Sequence, residues 1–261
     1  MGLTTFGMGL AAYQSLEPST KELLLNPTAK TLGKALNAAA TLLCSPLLLL
    51  GSVTQSTIDK FSSEVAQKVN GIPEQYRDSS KSNIILQEIE AARYHISRED
   101  LRQMYVNLIA STADSRKNQH VNPRMPVVLS QLDKDTVFFL ADIYGQGSHI
   151  LPLGQLKVVF KSGGNTTVLQ KMCIKEDDSV ITDVGSRADV LTSLGVLELS
   201  HTRHLVGENS KRQYGILFDN LKEQKKEISK LPIHEDYHLE IAESYLKITD
   251  FGEDLCQCIL A

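Results

Sequence analysis

Apolar residues recur every three or four positions through much of the first half of the chain, and this period predicts helices. Ile58, Phe61, Val65 and Val69 share one face of a helix that Gly71-Ile72-Pro73 stops. The segment 74–82 is a polar connection. Asn83 suits an N-cap, and Ile85, Ile89, Ala92 and Ile96 line the helix that follows. Glu88, Glu90 and Arg93 are expected to face water on that helix. A third helix starts after Ser97, with Glu99 and Asp100 at its positive end and Leu101, Met104, Tyr105, Leu108 and Thr112 as its inner stripe. A polar run and two prolines mark a loop over 115–126. A fourth helix, capped by Asp133 and closed by Gly145, turns Val137, Leu140 and Tyr144 inward. The stretch Asn83–Ala141 therefore organises the chain.

Beyond Gly145 the pattern becomes mixed. Leu156–Phe160 and Thr166–Ile174 predict strands joined by the hairpin loop Ser162-Gly163-Gly164-Asn165. Lys175–Ser179 reads as a turn, Ser186–Leu194 as a short helix ended by Gly195, and Val196–Leu199 as a strand. His201–Ser210 reads as a polar loop, Tyr214–Phe218 as a return strand, and Asn220–Lys230 as a solvated helix or linker. Tyr237–Ile248 predicts another strand, and Thr249 caps a last helix with Phe251, Leu255 and Ile259 inward. The order helix, hairpin, helix, strand, loop, strand resembles a winged helix-turn-helix. The expected fold is α+β: a helical N-terminal module, then a winged-helix-like module with an extra β-hairpin. Its expected divisions are an N-terminal arm and hydrophobic helical segment at 1–71, a helical core at 72–145, and the winged module at 146–261.

The stretch Ala35–Ile58 contains no charged residue. A spanning helix needs about 20 predominantly apolar residues. Asn37, Thr41, Ser45 and Pro46 dilute the apolar part, Leu36–Leu50, and Pro46 kinks any helix there. The segment reads first as a buried or partner-facing helix and second as a membrane-inserted one. Leu36, Leu43, Leu47 and Leu50 would make the membrane or partner contact. Ahead of it, Met1–Thr20 is glycine-rich and mildly apolar, with a Leu23–Leu25 cluster behind.

Composition narrows the classes. The chain has 261 residues and a formal charge of −4, which gives no global pull toward nucleic acid or anionic lipid. Four scattered cysteines suggest reduced thiols and a cytoplasmic setting, peripheral or integral at an inner membrane if the apolar segment inserts. The N-terminus shows no signal-peptide pattern, and Phe6 breaks the myristoylation pattern.

Motifs for chemistry are sparse. Neither a nucleophile elbow nor a phosphate loop is present, and Gly163-Gly164 lacks the Lys-Ser/Thr that a phosphate loop needs. His234 and His238 with Cys256 and Cys258 lack the spacing of a zinc site. No catalytic residue, cofactor, metal or small-molecule substrate is assigned, and the reading leans to a non-enzyme. For nucleic acid, Arg187, Arg203, Lys211 and Arg212 form a modest cationic set, beside His201 and His204. Against them, 219–254 carries five Lys and ten Asp or Glu, a local net of −5.

One resemblance spans roughly 28–260. Ile72-Pro73-Glu74, Leu101-Arg102, Asn107-Leu108-Ile109-Ala110-Ser111, Asn122-Pro123, Gln131-Leu132 and Ile248-Thr249-Asp250-Phe251-Gly252 occur in an order and spacing that resemble the Abi-alpha family. That bacterial family is named for abortive infection, and its molecular activity is largely undefined. Its pattern implies a His where Asn122 stands, whereas His120 lies two positions earlier, and a Pro near Ser79. Arg102, Asn107, Ser111, Asn122 and Pro123 recur in it with no known role. Bonds from Arg102 to Glu99 or Glu90, and from Asn107 to nearby backbone, are the structural expectation. The resemblance implies a phage-defence protein of the abortive-infection kind, and the mechanism expected for it is non-enzymatic, through membrane or protein association of its hydrophobic N-terminal segment. The alternatives are a winged-helix nucleic-acid-binding regulator and an oligomeric scaffold. A protein partner or self-association is the expected interaction.

Overall fold

The computed structural model describes residues 27–160, 166–182, 184–229 and 237–260, together with Pro18. The arm Met1–Thr20 (Pro18 apart), the Leu23–Leu25 cluster, the hairpin loop Ser162–Asn165 and His234 lie outside the described residues. The chain divides into two compact units, Met1–Lys134 with Asp254–Ala261, and Asp135–Glu253.

The first unit is helical. Helix α1 (Leu32–Cys44) runs to Ser45, and α2 (Pro46–Leu49) restarts with Pro46 at its first position, where a missing N–H costs nothing. Helix α3 (Gln55–Asn70) buries Ile58, Phe61, Val65 and Val69 against α1, and the Thr54 side chain caps it. Helix α4 (Ser82–Ala92) buries Ile85, Ile89 and Ala92, with Ile96 also buried just beyond. Its cap position is Lys81, not Asn83. Two expectations fail on this helix: Glu88 is fully buried and Arg93 is nearly so. Glu88 lies three residues after Ile85 and four before Ala92, on the inner face. Helix α5 (Glu99–Thr112) packs against α3 and α4. It buries the predicted stripe and also Val106, Ile109 and Ala110, as a helix enclosed by neighbours does. Helix α6 (Met125–Ser130) adds Met125, Val128 and Leu129 to this core.

The second unit opens with α7 (Lys134–Tyr144), which buries Val137, Leu140 and Ile143 and leaves Tyr144 half-buried. Its sheet contains β1 (Ile150–Phe160), β2 (Thr166–Ile174), β3 (Val180–Ile181), β4 (Leu197–Ser200) and β5 (Tyr237–Ile248), all antiparallel neighbours in the order β3-β2-β1-β5-β4. Helix α8 (Gly185–Ser193) ends at Gly195, whose φ of 74° is the left-handed cap. Helix α9 (Glu208–Ser229) replaces the expected return strand at Tyr214–Phe218 and the separate Asn220–Lys230 segment. Tyr214, Leu217 and Leu221 form a helical stripe against Leu156, Met172, Ile174 and Leu239 of the sheet. Residues 196–218 thus form strand, loop and helix, without the strand that would close a wing. Strand β1 also begins six residues earlier than expected. Pro152 lies before the β2 pairing starts at Leu153, where a missing N–H is tolerated. Gly154 lets α9 approach: a Cβ there would lie 2.8 Å from Leu221 Cδ1.

Helix α10 (Asp250–Ile259) closes the described chain, and the Thr249 hydroxyl accepts the Gly252 N–H at 2.9 Å. Gly252 is packed so closely that a Cβ would fall 2.2 Å from the Val196 carbonyl oxygen. Gly215, within α9, has open space around it. Opposite signs follow. Gly252→Ala is expected to destabilise by about 1–3 kcal/mol through overpacking, and Gly215→Ala to stabilise by about 0.5–1 kcal/mol through helix propensity. Urea unfolding of the two variants beside the parent checks this; equal shifts of one sign would refute the packing argument.

Candidate functional site

Helix α5 is covered on most of its surface, and the stripe Gln103, Asn107, Ala110 and Ser111, of which Gln103 is exposed, Asn107 half-buried and the other two buried, lines a cleft. That stripe faces Glu64, Gln67 and Lys68 of α3 across an open cleft of about 700 Å³ within the first unit. Ile72, Val106 and Ala110 supply its apolar floor. Asp114, Arg116 and Lys117 close one end, on the 3-10 turn Ser115–Lys117 that follows α5.

Polar groups along the cleft are tied to the surrounding frame. The Arg102 guanidinium is buried at its back, donating to Glu64 at 2.8 Å, to the Ile96 carbonyl at 3.1 Å and to Glu99 at 3.4 Å. The Glu99 contact was expected; Glu64, thirty-eight residues away in sequence, was not. Asp114 holds Arg116 through both carboxylate oxygens, at 2.9 Å and 2.6 Å, and that guanidinium lies over the Tyr76 ring. The Arg116 bond pulls the Asp114 carboxyl below its usual range.

Three side chains at the cleft hold the last turn of α10. Asn107 Nδ2 donates to the Ile259 carbonyl at 2.9 Å, Ser111 Oγ to Cys258 at 3.1 Å, and Lys117 Nζ to Gln257 at 3.3 Å. These carbonyls are among those a helix end leaves without partners. Lys117 Nζ also lies 3.2 Å from Ser111 Oγ. The pair does not make a nucleophile, because the serine proton goes to Cys258 and the lysine acts as a donor, not as a base.

Behind the cleft, Thr112 donates to Glu88 Oε1 at 2.6 Å, while Glu88 Oε2 has no partner. Burial pushes the Glu88 carboxyl up from 4.5 to about 8, and the Thr112 bond and Lys81 offset this in part. All four thiols are buried, and burial raises Cys44 and Cys173 to about 12 and Cys258 to about 11.

A family profile described as abortive infection alpha matches residues 53–259, most of the chain. The chain belongs to the Abi-alpha family. That membership points to an abortive-infection-type defence role. No curated protein and no solved structure matches the chain.

Of the family-motif positions, Asn107 and Ser111 line the cleft and Arg102 backs it. Asn122 lies apart from its lining: its side chain accepts the Arg124 N–H at 2.9 Å, and with Pro123 it leads into α6. His120 pairs with Asp254 at 2.6 Å. In the hydrophobic segment, Leu36 and Leu47 belong to the core, Leu43 is half-buried and Leu50 is 70% exposed. Among the described residues no helix is long and apolar enough to cross a membrane. The cationic set lies in the second unit. Arg187 bonds the Thr182 carbonyl, Arg203 pairs with Glu198, and Lys211 and Arg212 begin α9, with Arg212 paired to Asp178. Among the described residues no cluster of His, Cys, Asp or Glu is placed to hold a metal, and Cys256 and Cys258 sit in the core.

Neither Glu64 nor Lys117 is singled out by the sequence pattern, and Glu88 is expected there on the wet face. Glu88 had a signal in its position between Ile85 and Ala92. Glu64 and Lys117 had none, since their partners are distant in sequence. Linkage makes Glu88 testable. Its folded pKa is raised, so its contribution is intact below about pH 4.5 and is lost as pH rises toward about 8. Glu88→Gln should therefore gain on the parent across that window, by more than about 1 kcal/mol at pH 8. Urea midpoints at pH 5 and pH 8 that moved in parallel for the two proteins would contradict it.

Proposed function

We propose that the protein acts in abortive-infection defence by binding and not by chemistry, with the cleft between α3 and α5 as its recognition site. The observation that carries this reading is convergence: Asn107 and Ser111 both line the cleft beside the exposed Gln103, and Arg102 fixes the wall behind it. Arg102, Asn107 and Ser111 are held by hydrogen bonds to the frame, while Gln67 and Gln103 stand exposed at the rim. The test fills the cleft from its exposed rim. Gln67→Trp and Gln103→Trp place bulk in it without altering the buried core. Cells expressing either variant should lose phage restriction, measured as efficiency of plating, at unchanged protein level and melting temperature. Full restriction by both variants would overturn the reading.

A second reading keeps association at the hydrophobic segment. Leu50 favours it, standing exposed at the end of α2. Leu36 and Leu47 are already used by the fold, so a membrane or partner contact rests on Leu50 and Leu43. Leu50→Asp should abolish membrane or partner association with little loss of stability; unchanged fractionation would count against it. The winged-helix nucleic-acid reading draws less support, because Arg187, Arg203 and Arg212 each have an oxygen partner within the second unit.

A further inference from the structure

We infer that buried water is bound between α8 and the sheet of the second unit, held by Gln155, Thr192 and Lys171. The Gln155 side chain is fully buried, and neither its Nε2 nor its Oε1 has a hydrogen-bond partner among the described residues. Thr192 Oγ1 is buried and unpartnered in the same sense. Left dry, each of these atoms would forfeit the bonds to water that it makes in the unfolded chain.

The topology brings the three residues together. Side chains alternate along a strand, and Leu156 meets α9, so its neighbour Gln155 points to the opposite face. Gln155 stands opposite Lys171 of β2 in the ladder, on that same face. Lys171 is nearly buried, and its ammonium pairs with Asp189 of α8. Thr192 follows Asp189 by three residues and so lies beside it on the helix surface. Helix α8 packs on β2 and on β4, and the sheet order places β1 and β5 between those strands. Gln155 therefore lies in the part of the sheet that α8 crosses.

The two faces of the sheet differ in kind. The α9 side is filled by Leu156, Met172, Ile174, Tyr214 and Leu217. The α8 side carries Gln155, Lys171 and Ser244, and Ser244 is already satisfied by the Leu153 carbonyl at 3.1 Å. Buried water makes about three hydrogen bonds, and it makes them to polar groups that the protein leaves unsatisfied. The Lys171 ammonium has three donors, and Asp189 takes one. Water here accepts from Lys171 and from Gln155 Nε2, and donates to Gln155 Oε1 and Thr192 Oγ1. It thereby ties α8 to β1, two elements that no side-chain bond between Gln155 and Thr192 joins directly.

Two measurements on the full chain test this. In ¹H–¹⁵N spectra of the unaltered protein, the Gln155 side-chain amide should show a direct contact with bound water. That readout needs no variant, so it survives a substitution that fails to fold. Gln155→Met keeps the side-chain length and removes both polar ends, and Thr192→Val keeps the shape and removes the hydroxyl. Each should lower the urea midpoint, with the folding equilibrium constant down by about fivefold. The double variant should lose less than the sum of the two, because either change alone breaks the same bridge. A dry amide makes the opposite prediction for Gln155→Met, since the substitution would then remove an uncompensated polar group and raise the midpoint. A Gln155 amide without a water contact, a raised midpoint in Gln155→Met, or strictly additive losses would each overturn the inference.

Discussion

A helix enclosed by its neighbours must find partners for every polar group it carries, because an unmade buried hydrogen bond costs about 1–3 kcal/mol. Helix α5 meets this requirement outward in several directions. Arg102 reaches α3 and the chain beyond α4, Thr112 reaches α4, and Asn107 and Ser111 reach the end of α10. All but the Arg102–Ile96 bond join segments far apart in sequence. The helical unit is therefore assembled around one element whose polar residues act as ties and whose apolar residues fill the core. The cleft runs along the side of α5 where Gln103 is exposed and Asn107 half-buried.

In the second unit the same demand is met within the protein at Tyr214 and not at Gln155, whose buried side-chain amide has no hydrogen-bond partner among the described residues. The Tyr214 hydroxyl donates to the Ser244 carbonyl at 2.6 Å and accepts the Leu205 N–H at 3.1 Å, so a large ring enters the core with its oxygen satisfied. Lys171 alternates to the opposite face from Met172 and pairs with Asp189 of α8. The sheet is thereby covered on one face by α9 and engaged on the other by α8.

Local signals were legible where local rules decide. The stripes of α3, α4, α5 and α7, the strands Thr166–Ile174 and Tyr237–Ile248, the Gly195 stop and the Thr249 cap follow from period and capping alone. The misses share a cause. At Tyr214–Phe218 a five-residue window rich in β-formers looked like a strand, yet the spacing of Tyr214, Leu217 and Leu221 belongs to a longer helix. At Pro152 and Gly154, residues that normally interrupt a strand are accommodated by the absence of a β2 pairing partner at Pro152 and by the approach of α9 at Gly154. Glu88 and Arg93 have polar side chains on an inner face. The cleft was only half legible. Its motif residues stood out by order and spacing, but Glu64 and Lys117 gain meaning only from chain segments folded beside them.

The burial of all four thiols has a practical reach. A thiol reacts as its thiolate; all four are shielded, and burial also holds Cys44, Cys173 and Cys258 protonated. The native fold thus offers alkylating reagents almost no background. A single cysteine placed on the exposed rim at Gln103 would stand as an addressable handle for a fluorophore or spin label, in an otherwise wild-type chain.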